Sequence, residues 1–267
     1  MGALDGGVPT PADLVALSRA REVVAAVDAA RGGVDGLLAT LASPPLRARR
    51  AELSEQLVRR DAWAGAALDG APLPTGWDEV GAPVPEPVGP AAAELRCAVA
   101  SVRAARGLGG APGQVLARLH TVVAADRVTA AELGRPRPGA DTARLAALAQ
   151  LLAAGDPTVP AVVAAAVAQA ELVAVAPFSW GDAVVARGLF RAVTAQRGLD
   201  VAGVVPVAAG HLRLGVGRTA QLLAAYAASD DPLAGPGLDW VAHCGQALAV
   251  GAGDVVARLS GPGAAPG

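Results

Sequence analysis

Apolar residues recur at three- and four-residue intervals along most of the chain, which is the spacing of amphipathic α-helices. Near the start, Thr10 can cap a helix whose first position is Pro11, and the pattern predicts a helix from there to about Gly32. Further helices are predicted at residues 45–67, 91–108, 114–125, 141–154, 158–175, 183–197, 218–228 and 238–259. Only Val201–Val207, interrupted by glycine and proline, suits a short extended piece. The pattern predicts an all-α protein.

The composition favours the same fold class. Hydrophobic residues make up 53% of the 267 residues, which suffices for one sizeable core or for a core with a helical annex. Aromatic residues make up only 3%, so the core must consist chiefly of alanine, leucine and valine. These side chains favour closely packed helices over the aromatic and β-branched surfaces of a sandwich.

Charge and cysteine content argue against several classes of partner. The formal net charge is −2, and nucleic-acid binding needs clustered positive charge instead. Cys97 and Cys244 fit neither a metal-binding spacing nor a redox pair, so no metal site is expected. The N-terminus lacks the basic and apolar regions of a secretory signal. We therefore expect a cytoplasmic protein that does not bind nucleic acid.

One apolar stretch is long enough to span a membrane. Residues 159–178 carry a single charge, at Glu171, but they also contain two prolines and a glutamine. This composition is typical of a buried core helix rather than of a membrane-spanning helix, so no membrane contact is expected.

A proline-rich stretch at residues 70–90 divides the helical pattern. Its prolines are too dense for regular structure, which predicts a linker at the end of an N-terminal helical region, residues 1–90. A second helical domain is predicted over residues 91–259. The tail, residues 260–267, is expected to be disordered.

A short motif suggests a family. In the segment Ala176–Arg187, Pro177 and Phe178, then Gly181 and finally Arg187, stand in register with the pattern H-P-F-x-D/E-G-N-G-R-x-x-R. The segment resembles the active-site motif of the Fic family, in which this string forms a loop and the start of the next helix. The sequence at residues 116–120 also resembles the first helix of the family's core, and the resemblance covers roughly residues 114–200. It implies a Fic-like helical core with an N-terminal helical annex.

The resemblance implies a chemistry as well. Fic enzymes move the AMP of ATP onto a protein hydroxyl: the histidine takes the hydroxyl proton, the acid holds a magnesium ion, and the G-N-G turn cradles phosphates. Such a turn works because free backbone N–H groups and the helix dipole converge on an anion.

The departures from the motif remove this chemistry. Ala176 stands at the base position and has no lone pair to accept a proton. Trp180 stands at the acid position and cannot ligate magnesium, which requires oxygen donors. Asp182 brings a carboxylate into the phosphate turn, and Val184 replaces the first arginine. We therefore predict no catalytic residue at these positions and no magnesium, although ATP stays open as a ligand.

Some motif residues are candidates for binding. Phe178, Gly181 and Arg187 are the predicted ligand-binding residues, with Arg187 alternatively paired to Glu171 or Asp182. Asp182 is predicted to cap the following helix, and Trp180 to form a lid on the pocket. His120 is expected to pack within its own helix.

A second motif precedes the proline-rich stretch. Residues 65–70 resemble the family's inhibitory motif S/T-x-x-x-E-G/N, which lies on a helix and blocks the nucleotide site. Asp69 and Gly70 would then be its remnant, although a plain helix end followed by glycine explains them too.

Three functional hypotheses follow. The first is a Fic-like pseudoenzyme that binds a protein or a nucleotide-like ligand. The second is an active Fic-type nucleotidyltransferase that modifies proteins with AMP and uses Asp182 or Glu171 as a non-standard base. The third is a structural interaction module whose own side chains fill the pocket. A protein partner is expected, but the sequence identifies neither the partner nor the oligomeric state.

Overall fold

The computed structural model describes residues 8–79, 83–229, 231 and 234–260, and every regular element within these ranges is helical. The α-helices are α1 (Pro11–Leu17), α2 (Arg21–Ala42), α3 (Arg50–Leu68), α4 (Pro90–Ala104), α5 (Pro112–Ala124), α6 (Thr142–Ala154), α7 (Ala161–Val175), α8 (Asp182–Gln196), α9 (Val207–Leu214), α10 (Val216–Ala227) and α11 (Gly235–Ser260). The prediction of an all-α fold is confirmed. The tail at residues 261–267 and residues 80–82 of the predicted linker lie outside the described residues.

One predicted helix is wrong, and one helix was not predicted. The predicted first helix is two helices, α1 and α2, because the chain turns at Ser18, whose hydroxyl donates to the carbonyl of Val15 at 2.7 Å. In the predicted extended piece at residues 201–207, residues 201–202 form a turn, residues 203–206 are in no helix, and Val207 begins α9. Helix α9 was missed because it is short and contains Gly210, which lowers intrinsic helix propensity.

Helix α7 lies at the centre of the molecule. Its alanine- and valine-rich sequence is buried on nearly every face, and it packs most closely against α8 and also contacts α6, α10 and α11. Helices α2 and α11 pack along each other beside it, and buried residues from Leu14 to Val255 form one hydrophobic cluster. Residues on both sides of position 90 therefore share a core. None of the described helices is long and apolar enough to cross a membrane.

The described part of the proline-rich segment lies against α3. The guanidinium of Arg60 donates through Nε to the carbonyl of Trp77 at 3.1 Å, and the indole N–H of Trp63 donates to the carbonyl of Pro85 at 3.1 Å. These bonds satisfy backbone carbonyls that have no helix to bond within. They fix the segment that follows the end of α3.

Glycines allow the closest contacts between helices. A Cβ atom added at Gly251 of α11 would lie 2.3 Å from the carbonyl oxygen of Pro206, and one added at Gly210 of α9 would lie 1.9 Å from that of Ala247. A side chain at either position would push α9 and α11 apart.

This contact predicts opposite effects for two alanine substitutions in the same helix. Gly251→Ala should lower the free energy of unfolding by about 1–3 kcal/mol, because the new methyl group overlaps a backbone carbonyl. Gly253→Ala, where a Cβ would meet no atom within 4 Å, should raise it by up to about 1 kcal/mol through helix propensity. Urea unfolding of both variants measures the difference, and equal effects would contradict this packing.

Candidate functional site

The motif segment is a bend between two packed helices. Helix α7 ends at Val175, and Ala176 adopts the left-handed conformation with φ 42°, while its N–H donates to the carbonyl of Leu172 at 3.0 Å. Gly181, with φ 85°, turns the chain into α8. A left-handed alanine costs about 1–2 kcal/mol, so the surrounding contacts must hold the bend in place.

Part of that support comes from Arg137, in the segment between α5 and α6. Its backbone N–H donates to the carbonyl of Pro177 at 2.7 Å, and its Nε donates to the carbonyl of Ala176 at 3.0 Å. These two bonds satisfy carbonyls at the end of α7 that lack intrahelical partners.

His120 of α5 supports the bend from inside. Its ring stacks on Phe178, with centroids 4.0 Å apart and planes 3° apart. Nδ1 accepts the N–H of Gly134 at 2.9 Å, so the proton is on Nε2, which donates to the carbonyl of Trp180 at 3.1 Å. Burial lowers the pKa of His120, and both ring nitrogens are engaged. His120 therefore positions the loop, and its expected packing within its own helix is wrong.

Asp182 does not cap α8 as predicted. Gly181 is the N-cap residue, and Asp182 is the first residue of the helix. The left-handed turn at Gly181 directs the Asp182 carboxylate back across the loop, where Oδ1 accepts the N–H of Phe178 at 3.0 Å. Burial raises the pKa of Asp182, although this hydrogen bond and the charge of Arg137 oppose the shift.

Arg187 is paired with residues that sequence reasoning did not consider as its partners. Its Nε donates to Oε1 of Glu94 at 3.0 Å, and its Nη1 donates to Oδ1 of Asp69 at 3.2 Å. Burial alone would lower the pKa of Arg187, but the two carboxylates outweigh burial and raise it. Burial also raises the pKa of Glu94, against the opposing effect of Arg187.

The alternative partners of Arg187 are engaged elsewhere. Glu171 is fully buried in α7, where it accepts two hydrogen bonds from Arg144, at 2.9 and 3.2 Å, and one from the hydroxyl of Tyr226 at 2.8 Å. Asp182 bonds to the loop. Asp69, the acid of the predicted inhibitory remnant, does contact Arg187, but its inhibitory role stays a prediction.

A groove of about 460 Å³ lies between the motif loop, the end of α3 and the start of α4. Its lining includes the carboxylates of Asp69, Glu94 and Asp182 and, of the described residues, no arginine. Trp180 forms part of the wall, with the guanidinium of Arg127 5.5 Å from the centre of its ring. Arg187 lies behind Asp69 and Glu94.

Of the three predicted ligand-binding residues, only one therefore lines the groove. Gly181 lines the groove, whereas Phe178 is buried against His120 and Arg187 is covered by its two carboxylates. The residues that sequence reasoning missed are His120 and Glu94. Only the family resemblance at residues 116–120 pointed to His120, and Glu94 carried no signal at all. Among the described residues, no three His, Cys, Asp or Glu side chains are placed so that they could hold a metal ion together.

Solved structures show which fold this is. A Fic family protein from Desulfovibrio desulfuricans G20 matches with a TM-score of 0.57 and 18% identity, over 86% of this chain and 73% of that chain. Fic-1 from C. elegans matches with a TM-score of 0.54 and 18% identity, over 84% of this chain and 70% of that chain. A second C. elegans Fic-1 structure, of a point variant, gives a TM-score of 0.53 and 20% identity, over 89% and 75%. No protein-family model and no curated protein sequence matches this chain. The chain has the Fic fold, as the motif resemblance implied.

The contacts of His120 predict a marked effect of His120→Phe. The new ring can keep the stack on Phe178, but the N–H of Gly134 and the carbonyl of Trp180 lose their partners, and we expect a loss of about 2 kcal/mol in unfolding free energy.

Urea unfolding measures this loss, and Thr121→Val in the same helix is the control. The Thr121 hydroxyl donates only to the carbonyl of Ala117, so its removal should change stability by less than about 0.5 kcal/mol. Equal stability of the two variants would show that His120 does not support the loop.

Proposed function

We propose that this protein is a Fic-fold pseudoenzyme that binds a protein partner through the groove beside the motif loop. The observation that carries the proposal is the occupation of Arg187 by Asp69 and Glu94. Arg187 is the only charged group of the family motif that this sequence retains. Because its guanidinium N–H groups already bond to two carboxylates, Arg187 has no free pair of N–H donors with which to bind a phosphate.

The groove is also unsuited to a triphosphate. Three carboxylates line it, and like charges at close range in a partly buried site repel strongly. The N–H of Phe178, one of the loop donors that could face an anion, is taken by Asp182. A nucleotide would have to displace these internal contacts before it could gain any of its own.

The apolar and acidic lining of the groove suits a segment of a protein partner. Ala66, Pro90 and Val184 contribute apolar wall, and the carboxylates lie among them. Complementary partners for such a surface are an apolar side chain or a basic one, since electrostatic complementarity selects partners and suppresses wrong ones. We therefore propose a partner segment that carries at least one basic residue.

The active-transferase alternative has one observation in its favour. Of its two proposed bases, Glu171 is buried and fully bonded, but Asp182 faces the groove and its pKa is raised by burial. A raised pKa moves a carboxylate toward the range of a general base. This alternative requires ATP, so an ATP titration tests both readings.

The occupation of Arg187 predicts that ATP does not bind. Calorimetric titration should give no saturable heat up to about 1 mM ATP, with or without magnesium. Asp69→Ala should behave in the same way, because Glu94 still holds Arg187.

Saturable heat with the unchanged protein would contradict the proposed exclusion of ATP, and transfer of labelled AMP to a protein would then distinguish the transferase from a nucleotide-binding pseudoenzyme. Heat with Asp69→Ala alone would identify Asp69 as an inhibitory acid and would contradict the proposal as well.

The groove predicts which peptides the protein selects. Peptides enriched from a random displayed library should carry basic residues and should lose at least about tenfold in affinity for Ala183→Trp, which places a bulky side chain in the groove. Val201→Trp, at a position 65% exposed and outside the groove, is the control and should bind them unchanged. Selection of acidic peptides, or equal binding to both variants, would overturn the proposed partner chemistry.

A further inference from the structure

A second, much smaller cavity lies behind Arg187, at the junction of α3, α7, α8 and α9. Its volume is about 30 Å³. Polar side chains from all four helices, together with one from the loop after α8, line it: Asp61, Gln169, Arg187, Arg191, Asp200 and His211. This cavity is separate from the groove, since the two share no lining residue.

His211 is the unusual member of this set. It is only 2% exposed, and its ring stacks on Trp240 with planes 4° apart and centroids 5.6 Å apart. Neither Nδ1 nor Nε2 has a hydrogen-bond partner among the residues that the structure describes. A buried polar atom left in this state costs about 1–3 kcal/mol, so a ligand that bonds to it is strongly favoured.

The carboxylates that line the cavity already have hydrogen-bond partners within the protein. Asp61 accepts hydrogen bonds from Arg191 and from the N–H of Ala209, and Asp200 accepts the N–H groups of Val204 and Val205 at 3.0 and 2.9 Å. The oxygens of both carboxylates therefore already have hydrogen-bond partners, and an ion would bring a large desolvation cost.

His211 itself is uncharged. Burial lowers its pKa to about 3, and His243 and, to a smaller extent, Arg187 contribute in the same direction. A neutral imidazole offers one N–H donor and one acceptor nitrogen. The ligand that fits must therefore be neutral and able to both donate and accept.

Size narrows the ligand further. A cavity needs about 10–15 Å³ of space open to a water-sized sphere in order to hold one water molecule. Pockets for drug-sized ligands start at about 300 Å³. The cavity has room for one water molecule or two, and for nothing much larger.

We propose that this cavity binds water as a fixed part of the fold, with a water molecule hydrogen-bonded to a ring nitrogen of His211. The Gln169 side chain, 5% exposed and lining the same cavity, is placed to be its second partner. The water then joins α9 to α7 at the junction from which Arg187 projects.

A high-resolution crystal structure of the unchanged protein tests the site directly. It should show a density peak inside the cavity at about 2.7–3.2 Å from Nδ1 or Nε2 of His211. A cavity without density, or a protein side chain bonded to His211 in its place, would overturn the proposal.

His211→Phe tests the same site in solution. The phenyl ring can keep the stack on Trp240 but bonds to no water, so the melting temperature should fall by about 2–4 °C. If both nitrogens of His211 were truly unbonded, the substitution would raise the melting temperature, and that result would overturn the proposal.

A matched control calibrates the shift. His243→Phe removes a neighbouring buried histidine, 4.9 Å away, whose Nε2 bonds to the hydroxyl of Thr219 at 3.0 Å. The two variants should lose comparable amounts, since each loses a real hydrogen bond. If His211→Phe does not fold, the crystallographic peak decides alone.

Discussion

The guanidinium of Arg187 is largely withdrawn from water, and a buried cation is stable only beside carboxylates that compensate it. Glu94 from α4 and Asp69 from the end of α3 provide that compensation. This one ionic cluster therefore fixes the positions of α3, α4 and α8 relative to one another. It also decides which groups face the groove, because the carboxylates lie between Arg187 and the open space. Glu94 is buried, and breaking a buried pair by removing one partner typically costs about 3–5 kcal/mol, whereas Asp69 is 43% exposed and contributes less.

The motif loop is built in the same self-contained way. Its exposed backbone groups are bonded by side chains of the protein: Asp182 takes the N–H of Phe178, His120 bonds to the carbonyl of Trp180, and Arg137 bonds to that of Ala176. A helix N-terminus binds an anion when its N–H groups are free. Here the bend between α7 and α8 keeps the shape implied by the Fic resemblance, whereas its polar groups are directed inward. The loop thus keeps the shape of the site without its free hydrogen-bonding groups.

Small side chains make this architecture possible. Alanine and valine let α7 be buried on nearly every side, and Gly210 and Gly251 let α9 approach α11 to backbone contact. Such close packing leaves few places for polar groups inside. Where they do occur, as at Asp61 with Arg191 and at Glu171 with Arg144 and Tyr226, they are bonded to one another. His211 is the exception among the described residues that line the inner cavity, and this is why it points to a bound molecule.

The sequence by itself determined the helical fold class, most helix positions and the bend at residues 176–187, because these follow from local periodicity, capping residues and a short motif. It also determined that the base, the metal ligand and the first arginine of the motif are missing. Only the tertiary structure decided what Arg187 contacts, since its partners Glu94 and Asp69 lie 93 and 118 residues away in the chain. The same holds for His120 under the loop and for α9, whose glycine-containing helix is favoured by its packing on α11. Contacts between residues far apart in the chain depend on how the helices pack, and a local sequence pattern does not predict that packing.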